Sequence, residues 1–207
     1  MEDLWLERAK RLMALAQTGL NFTQDPFDRE RYEEVAALAA AMLGDLGQVP
    51  VARILDLVPD YAANYATPSV DVRGALIEDG RVLLVQEQSD GRWSLPGGFA
   101  DIGLSAAENT VKEVREEAGI DVDAHRLIAV RHKARHPYPA DTRDFYKFSF
   151  LLRRSDRAAP VAGSEAQDVG FFAPDALPPL SETRVIAQDI AAAFAAHADP
   201  DAPTLFD

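Results

Sequence analysis

The stretch from Leu95 to Ile120 constrains this chain more tightly than any other part of it. Pro96 is followed by two adjacent glycines, Gly97 and Gly98, and a helix start comes shortly after: Ser105 and Glu108 have the spacing of a capping box. Gly119 supplies the C-terminal stop, so the pattern predicts a helix over Ala106–Ala118. At about 100° per residue, Ala107, Val111, Val114 and Ala118 share one face, while Glu113, Glu116 and Glu117 gather on a face roughly 140° away. One side is core and the other is a carboxylate cluster.

On a solvated helix a glutamate is better followed, four residues on, by a lysine or arginine, because like charges at that spacing repel. Glu113 instead meets Glu117. A divalent cation turns that repulsion into coordination, since Mg²⁺ takes oxygen ligands and retains several waters. A glutamate-rich helix by itself reads only as a solvated face, and two adjacent glycines only as a turn. The combination is more specific: in Pro96-Gly97-Gly98 the missing side chains permit unusual dihedrals and let backbone carbonyls approach an ion.

The segment resembles the signature box of the Nudix hydrolases: Gly, five residues, Glu, seven residues, then Arg-Glu-aliphatic-x-Glu-Glu-x-Gly-aliphatic. Gly98, Glu113, Val114, Glu116, Glu117, Gly119 and Ile120 match it. Leu104 stands where the family has its first Glu, and Lys112 where it has Arg, which keeps the charge but loses the forked donor. Upstream, Trp5 to Lys10, Ala16 to Leu20 and Asp25 to Glu34 look like the helical domain that precedes the Nudix fold in one bacterial subgroup. The resemblance implies an α/β fold, an α/β/α sandwich around a mixed sheet over about Val70 to Ala196, preceded by a small all-helical domain. The expected division is 1–66 for the helices and 67–207 for the hydrolase domain.

The resemblance further implies hydrolysis of a nucleoside diphosphate linked to another group X, of CDP-choline or ADP-ribose type, by water attacking one phosphorus of the pyrophosphate. The cofactor implied is Mg²⁺ or Mn²⁺, held by Glu113, Glu116 and Glu117 with the Gly97 carbonyl. Glu113 and Glu117 are the implied catalytic residues, with Glu113 also handling the water's proton. Some family members draw their base from a later loop, where Glu165, Asp141 and Asp144 stand in this chain. In the subgroup, the helices help form a homodimer.

Composition agrees with a small-molecule enzyme. The chain has 207 residues and is 47% apolar, enough for a real core. Its net charge of −13 argues against a broad nucleic-acid-binding face, where affinity comes from phosphate neutralisation, although a cation can still bridge phosphates to it. With no cysteine, thiolate zinc sites, disulfides and thiol catalysis are excluded. The charged N-terminus lacks a signal peptide's apolar stretch and no run approaches a membrane span, so a cytoplasmic protein with no membrane partner is expected.

The helical region reads as one helix from Leu4 to about Thr18, capped by Asp3, with Trp5, Ala9, Leu12 and Ala16 on one stripe and Gly19 as its stop. A second runs from Asp25-Pro26 to Gly44 and a third, short one from Pro50 to Leu57, with a linker at Val58 to Pro68. Helices this short bury their apolar faces either on a second copy, which we favour, or on the rest of the chain. The period then alternates: strands are expected around Val70–Ile77 and Val82–Val85, joined by an Asp79-Gly80 turn, and later at Leu127–Arg135, Phe145–Leu152 and Val169–Phe172. A final helix spans Glu182 to Ala196, and the tail Asp199 to Asp207 is expected to be loose.

For substrate contacts, Arg131, Lys133 and Arg135 face one way on an extended strand, with His132 and His136 facing the other. Lys133, His136, Lys147 and Arg73 are the candidates for phosphates, the alternative for the basic cluster being a charged sheet edge. Among Phe99, Tyr138, Phe171 and Phe172, Tyr138 is the favoured aromatic for the base, on a loop made by His136-Pro137-Tyr138-Pro139. Three rival functions are a nucleotide sensor that does not cleave, a hydrolase acting on RNA ends, and a helical dimerisation module with an inert partner domain. The intact glutamates weigh against the first and third, and the charge weighs against extended RNA.

Overall fold

The computed structural model describes residues 3–48, 50–52, 54, 67–101 and 103–207, and its chain divides into two units. The first comprises residues 1–69 together with 139–145, so the short segment Pro139–Phe145 falls with the helices although it lies beyond the division at residue 66. Its two helices are α1 (Leu4–Phe22) and α2 (Pro26–Gly47). Asp3 caps α1 by accepting from the Trp5 N–H at 2.8 Å, and Asp25 caps α2 by accepting from Phe27 and Asp28 at 2.8 and 3.0 Å.

Two expectations for α1 are corrected. Gly19 does not stop it: the helix runs on to Phe22, and a Cβ on Gly19 would lie 2.5 Å from the Tyr32 ring, so the glycine makes room for α2. The buried stripe is Leu6, Ala9, Met13, Ala16 and Leu20, whereas Trp5 is 57% and Leu12 39% exposed. Likewise α2 passes through Gly44, which is buried, and ends where Gln48 turns left-handed at φ 53°. Leu6, Met13, Ala39, Ala40, Leu43 and Ile54 form this unit's core. Of the expected third helix, Val51, Ala52 and Ile54 are helical and Pro50 is not, and the rest of it, like all of the expected linker but Thr67 and Pro68, lies outside the described residues. Lys10 holds the 139–145 segment, reaching the Arg143 carbonyl at 3.1 Å and Asp144 at 3.3 Å.

The second unit is built on a mixed seven-stranded sheet. Its elements are β1 (Ser69–Glu78), β2 (Arg81–Glu87), β3 (Trp93–Ser94), α3 (Ala106–Ala118), β4 (Val122–His132), β5 (Phe145–Arg154), β6 (Ala166–Phe172), α4 (Ala187–Ala198) and β7 (Leu205–Phe206). The strand order is β3-β2-β1-β5-β4-β7, with β6 paired antiparallel to β2 and β7 parallel to β4. Asp79 and Gly80, both at positive φ, make the tight β1–β2 turn.

Alternation along the strands sorts the two faces of the sheet. Ala75, Ile77, Val82 and Leu84 pack with Ile190 and Ala193 of α4, while Leu76, Leu83 and Val85 pack with Val114 and Ala118 of α3. One helix therefore covers each face, which is the α/β/α sandwich. Among the described residues no helix is long and apolar enough to cross a membrane.

Three sequence expectations change here. The strand ends at His132, and Lys133–Arg135 form a 3₁₀ turn, so the in-and-out alternation expected through Arg135 does not exist. The tail is not loose: Leu205 and Phe206 pair with Ala129 and Val130, and Asp207 accepts from the His132 N–H. The last helix begins at Ala187, because Asp189 accepts from the Ile186 N–H at 3.0 Å and fixes the helix start there.

Candidate active site

Strand β1 zips the glycine loop into place. The N–H groups of Val72 and Gly74 donate to the carbonyls of Gly98 and Pro96, each at 2.9 Å, and the Ala100 N–H donates back to Val70 at 3.0 Å. Arg73 adds a side-chain bond to the Leu95 carbonyl at 3.1 Å. This pairing spends the carbonyls of Pro96 and Gly98 on β1 and leaves that of Gly97 between them outside the pairing. Gly97 has φ +145°, and a Cβ there would sit 2.0 Å from the Val72 carbonyl, so only glycine fits. A Cβ on Gly98 would stand 3.0 Å from Oε1 of Glu113.

Helix α3 presents its glutamates to this loop with the boundaries the sequence predicts: Ser105 accepts from the Glu108 N–H, Glu108 accepts from the Ser105 N–H, and Gly119 ends the helix at φ 66°. Glu117 is buried and accepts the Gly97 N–H at 2.9 Å. Burial pushes its carboxyl up to about 7, reinforced by Glu87 and Glu113 and opposed by the Gly97 N–H and Arg73. Burial also raises Glu113, with Glu116 and Glu165 adding to it and Lys112 and Arg73 opposing. Glu116 lies apart from this pair, its carboxylate 2.9 Å from Lys112. Among the described residues, no three histidine, aspartate or glutamate side chains converge as a metal cluster.

Lys112 also reaches Asp101 at 3.1 Å, and its ammonium is held charged by its hydrogen bonds to Glu116 and Asp101. Asp101 is itself fixed by Asn109, which is 1% exposed: its side-chain oxygen accepts the Asp101 N–H at 2.8 Å, and its amide reaches the carbonyls of Asp101, Leu104 and Ser105. A second loop docks on the C-terminal end of α3, with Val161 donating to Ala118 at 2.9 Å and Gly163 to Glu117 at 3.0 Å. A Cβ on Gly163 would fall 1.7 Å from the Glu116 carbonyl. Glu165 follows two residues later. Of the other two base candidates, Asp141 pairs with Arg143 at 3.1 Å and Asp144 with Lys10, both within the helical unit.

The substrate-contact candidates are engaged by the protein itself. Arg73 is 4% and Lys147 3% exposed, and both bind Asp71: Arg73 through Nε at 3.0 Å and Nη2 at 2.9 Å, Lys147 at 2.7 Å. Burial works to raise the Asp71 carboxyl, but the two cations outweigh it and bring it down to about 2. The Tyr138 ring lies 5.3 Å from the Lys147 ammonium, and its hydroxyl donates to Asp189 at 2.6 Å. Asp189 also accepts from Arg131 at 2.8 Å. Lys133 is buried in the 3₁₀ turn, and His136 bonds Asp207 at 2.6 Å. Phe172 packs on Trp93 with centroids 4.7 Å apart, Phe171 packs against the α3-side core, and Phe99, beside the glycine loop, is 53% exposed.

Asp71, Asp101, Asn109 and Gly163 escaped the sequence reading. Asp71 left a signal, a carboxylate two residues before Arg73 and hence on the same strand face. The other three act through contacts between segments that show no periodicity.

Residues 3–58 match a family model described as a UDP-X-like, N-terminal oligomerisation domain, and residues 67–194 match the NUDIX domain. Over 207 residues, all of this chain and 99% of its relative, the sequence is 43% identical to a Bacillus subtilis (strain 168) protein provisionally named ADP-ribose pyrophosphatase YjhB. A crystal structure of a UDP-X diphosphatase is 34% identical, covers 98% of each chain and superposes with a TM-score of 0.64. A crystal structure of an ADP-ribose pyrophosphatase from Streptococcus suis 89-1591 is 39% identical, covers 68% of this chain and 100% of its own, and has a TM-score of 0.63.

Proposed function

The chain belongs to the Nudix hydrolases and is a pyrophosphatase of that family, and from this premise we propose that it cleaves the pyrophosphate bond of a nucleoside diphosphate linked to X. The products are a nucleoside monophosphate and phospho-X. ADP-ribose, CDP-choline and UDP-linked sugars are the candidate substrates, the first and last in keeping with the names of the relatives. The observation that carries the reading is the buried Glu117 carboxylate held against the Gly97 N–H, beside Glu113 and a loop where only glycine fits.

The donor set fits a hard divalent cation, Mg²⁺ or Mn²⁺. Glu113 and Glu117 already face the glycine loop, the Gly97 carbonyl is the one β1 does not use, and all of these donors are oxygens. Glu116 would join them by leaving Lys112. Such a cation, when bound, neutralises charge on the phosphoryl oxygens and makes water nucleophilic at neutral pH. The chain's own groups do the rest. Glu113, half-buried and with its carboxyl raised, takes the proton of the attacking water, with Glu165 as the alternative base on the loop docked at the end of α3. Arg73 holds the glycine loop and offsets the charge of Glu117. Lys147 and Tyr138 brace that strand from the inside, so the base is better met by exposed Phe99. Of the remaining phosphate candidates, His136 is the more accessible and Lys133 the more buried.

We assign the homodimer to the second apolar stripe of α1, where Leu4, Trp5, Leu12, Leu15 and Phe22 are all exposed, in keeping with the oligomerisation domain matched by residues 3–58. A substrate panel tests the function: ADP-ribose, CDP-choline, UDP-sugars and a triphosphorylated RNA oligomer, each with Mg²⁺ or Mn²⁺. Cleavage of a diphosphate-linked nucleoside supports the reading. Nucleotide binding without cleavage favours a sensor, and cleavage of the RNA alone favours an RNA-end hydrolase.

A further inference from the structure

Lys112 stands between two carboxylates, 2.9 Å from Glu116 and 3.1 Å from Asp101. Resting on the metal reading above, we infer that Lys112 and Asp101 set the cation affinity of the glutamate face: Lys112 holds Glu116 out of the cluster, and Asp101 provides the berth to which Lys112 withdraws when Glu116 is released.

In the arrangement observed, Glu113 and Glu117 turn to the glycine loop while Glu116 turns to Lys112. With no cation, that pairing offsets the repulsion among three glutamates on one helical face. With a cation, the lysine competes with it for the same carboxylate. The side chains of Lys112, Glu116 and Asp101 are 38%, 50% and 60% exposed, so each ion pair is screened and individually weak, as an exchange of partners requires.

The two ends of the exchange differ in rigidity. The backbone of Asp101 is clamped by buried Asn109, which anchors its carboxylate within reach of Lys112 independently of Glu116. Lysine suits this role, because its compact ammonium on a flexible stem can swing between partners, whereas an arginine fork fixes one geometry.

The test is a Mn²⁺ titration of the full chain without substrate, followed by the electron paramagnetic resonance of free Mn²⁺, on the unsubstituted protein, Lys112→Met, Asp101→Asn and the double variant. A melt in chelator identifies any variant that does not fold, and Lys112→Gln then replaces Lys112→Met. Lys112→Met binds about two- to fivefold tighter, the scale of one partly exposed ion pair, and Asp101→Asn binds weaker by a similar factor. In the Lys112→Met background, Asp101→Asn changes nothing, because Asp101 acts only through the lysine. Unchanged or weaker binding by Lys112→Met overturns the proposal, as does an Asp101→Asn effect that survives in the double variant. If the unsubstituted chain binds no Mn²⁺, the metal reading itself fails and takes this inference with it.

Discussion

The backbone N–H of Gly97 donates to Glu117 across 2.9 Å, joining a loop held by β1 to the helix that packs on one face of the sheet. Neither partner is replaceable in kind: the glycine lies where a Cβ would strike the Val72 carbonyl, and the carboxylate is buried. The two glycines of the loop therefore answer differently to the same substitution. Gly97→Ala is strained at φ +145° with a Cβ 2.0 Å from backbone, and is expected to lower the melting temperature by several degrees and abolish activity. Gly98→Ala meets only the end of the Glu113 side chain at 3.0 Å, so it keeps most of its stability and loses turnover. Thermal melts beside kcat measurements separate the two, and equal losses of stability would contradict the geometry.

Asp71 makes the second unit acid-sensitive in a defined window. Its folded-state carboxyl sits at about 2, below the ordinary 3.8, so its stabilising effect is present above about pH 4 and is lost as the pH falls towards 2. The size is roughly 2 kcal/mol. Asp71→Asn should cost about 3–5 kcal/mol at neutral pH, since it strands Arg73 and Lys147 without their counter-charge. Urea midpoints at pH 5 and pH 2.5 check this: the gap between wild type and Asp71→Asn narrows at the lower pH, and a constant gap would refute the assignment.

Tyr138→Phe distinguishes a brace from a substrate contact. The ring remains and only the hydroxyl bond to Asp189 is lost, so stability falls by about 1–2 kcal/mol while KM for the nucleotide is unchanged. A raised KM at unaltered stability would return Tyr138 to the substrate.

The dimer proposed for the exposed stripe of α1 is tested by charge substitution within that stripe. Leu12→Glu with Leu15→Glu, both on the face away from this unit's core, should convert a dimer to a folded monomer in sedimentation while the helical signal is retained. An unchanged mass would place the interface elsewhere.

How much of this was legible in the sequence depended on how local the cause was. The box helix was read to the residue because Ser105, Glu108 and Gly119 fix its ends through bonds within four positions. On α1 the period is visible, but the helix has two apolar stripes, and the buried one runs through Leu6 and Met13 rather than through Trp5 and Leu12. Periodicity shows that a face is apolar, not what covers it. The pairing of Leu205 with Ala129 and the bond of Asp207 to the His132 N–H join residues more than 70 positions apart, which no local pattern records. Within the site, Lys147 is buried against Asp71, 76 positions away, which no local pattern records, whereas the Glu116–Lys112 pair is an i,i+4 contact of the helix itself.

Whether the Gly97–Glu117 junction is the seat of a metal-dependent hydrolysis is decided by one comparison. Product formation from ADP-ribose and from the other diphosphate-linked nucleosides is followed for wild type and Glu117→Gln with Mg²⁺, and for wild type in chelator. Wild type with Mg²⁺ should release nucleoside monophosphate, the variant should lose about a hundredfold or more, and no product should form in chelator. Undiminished cleavage by Glu117→Gln, or by wild type without any divalent cation, would contradict that role for the junction.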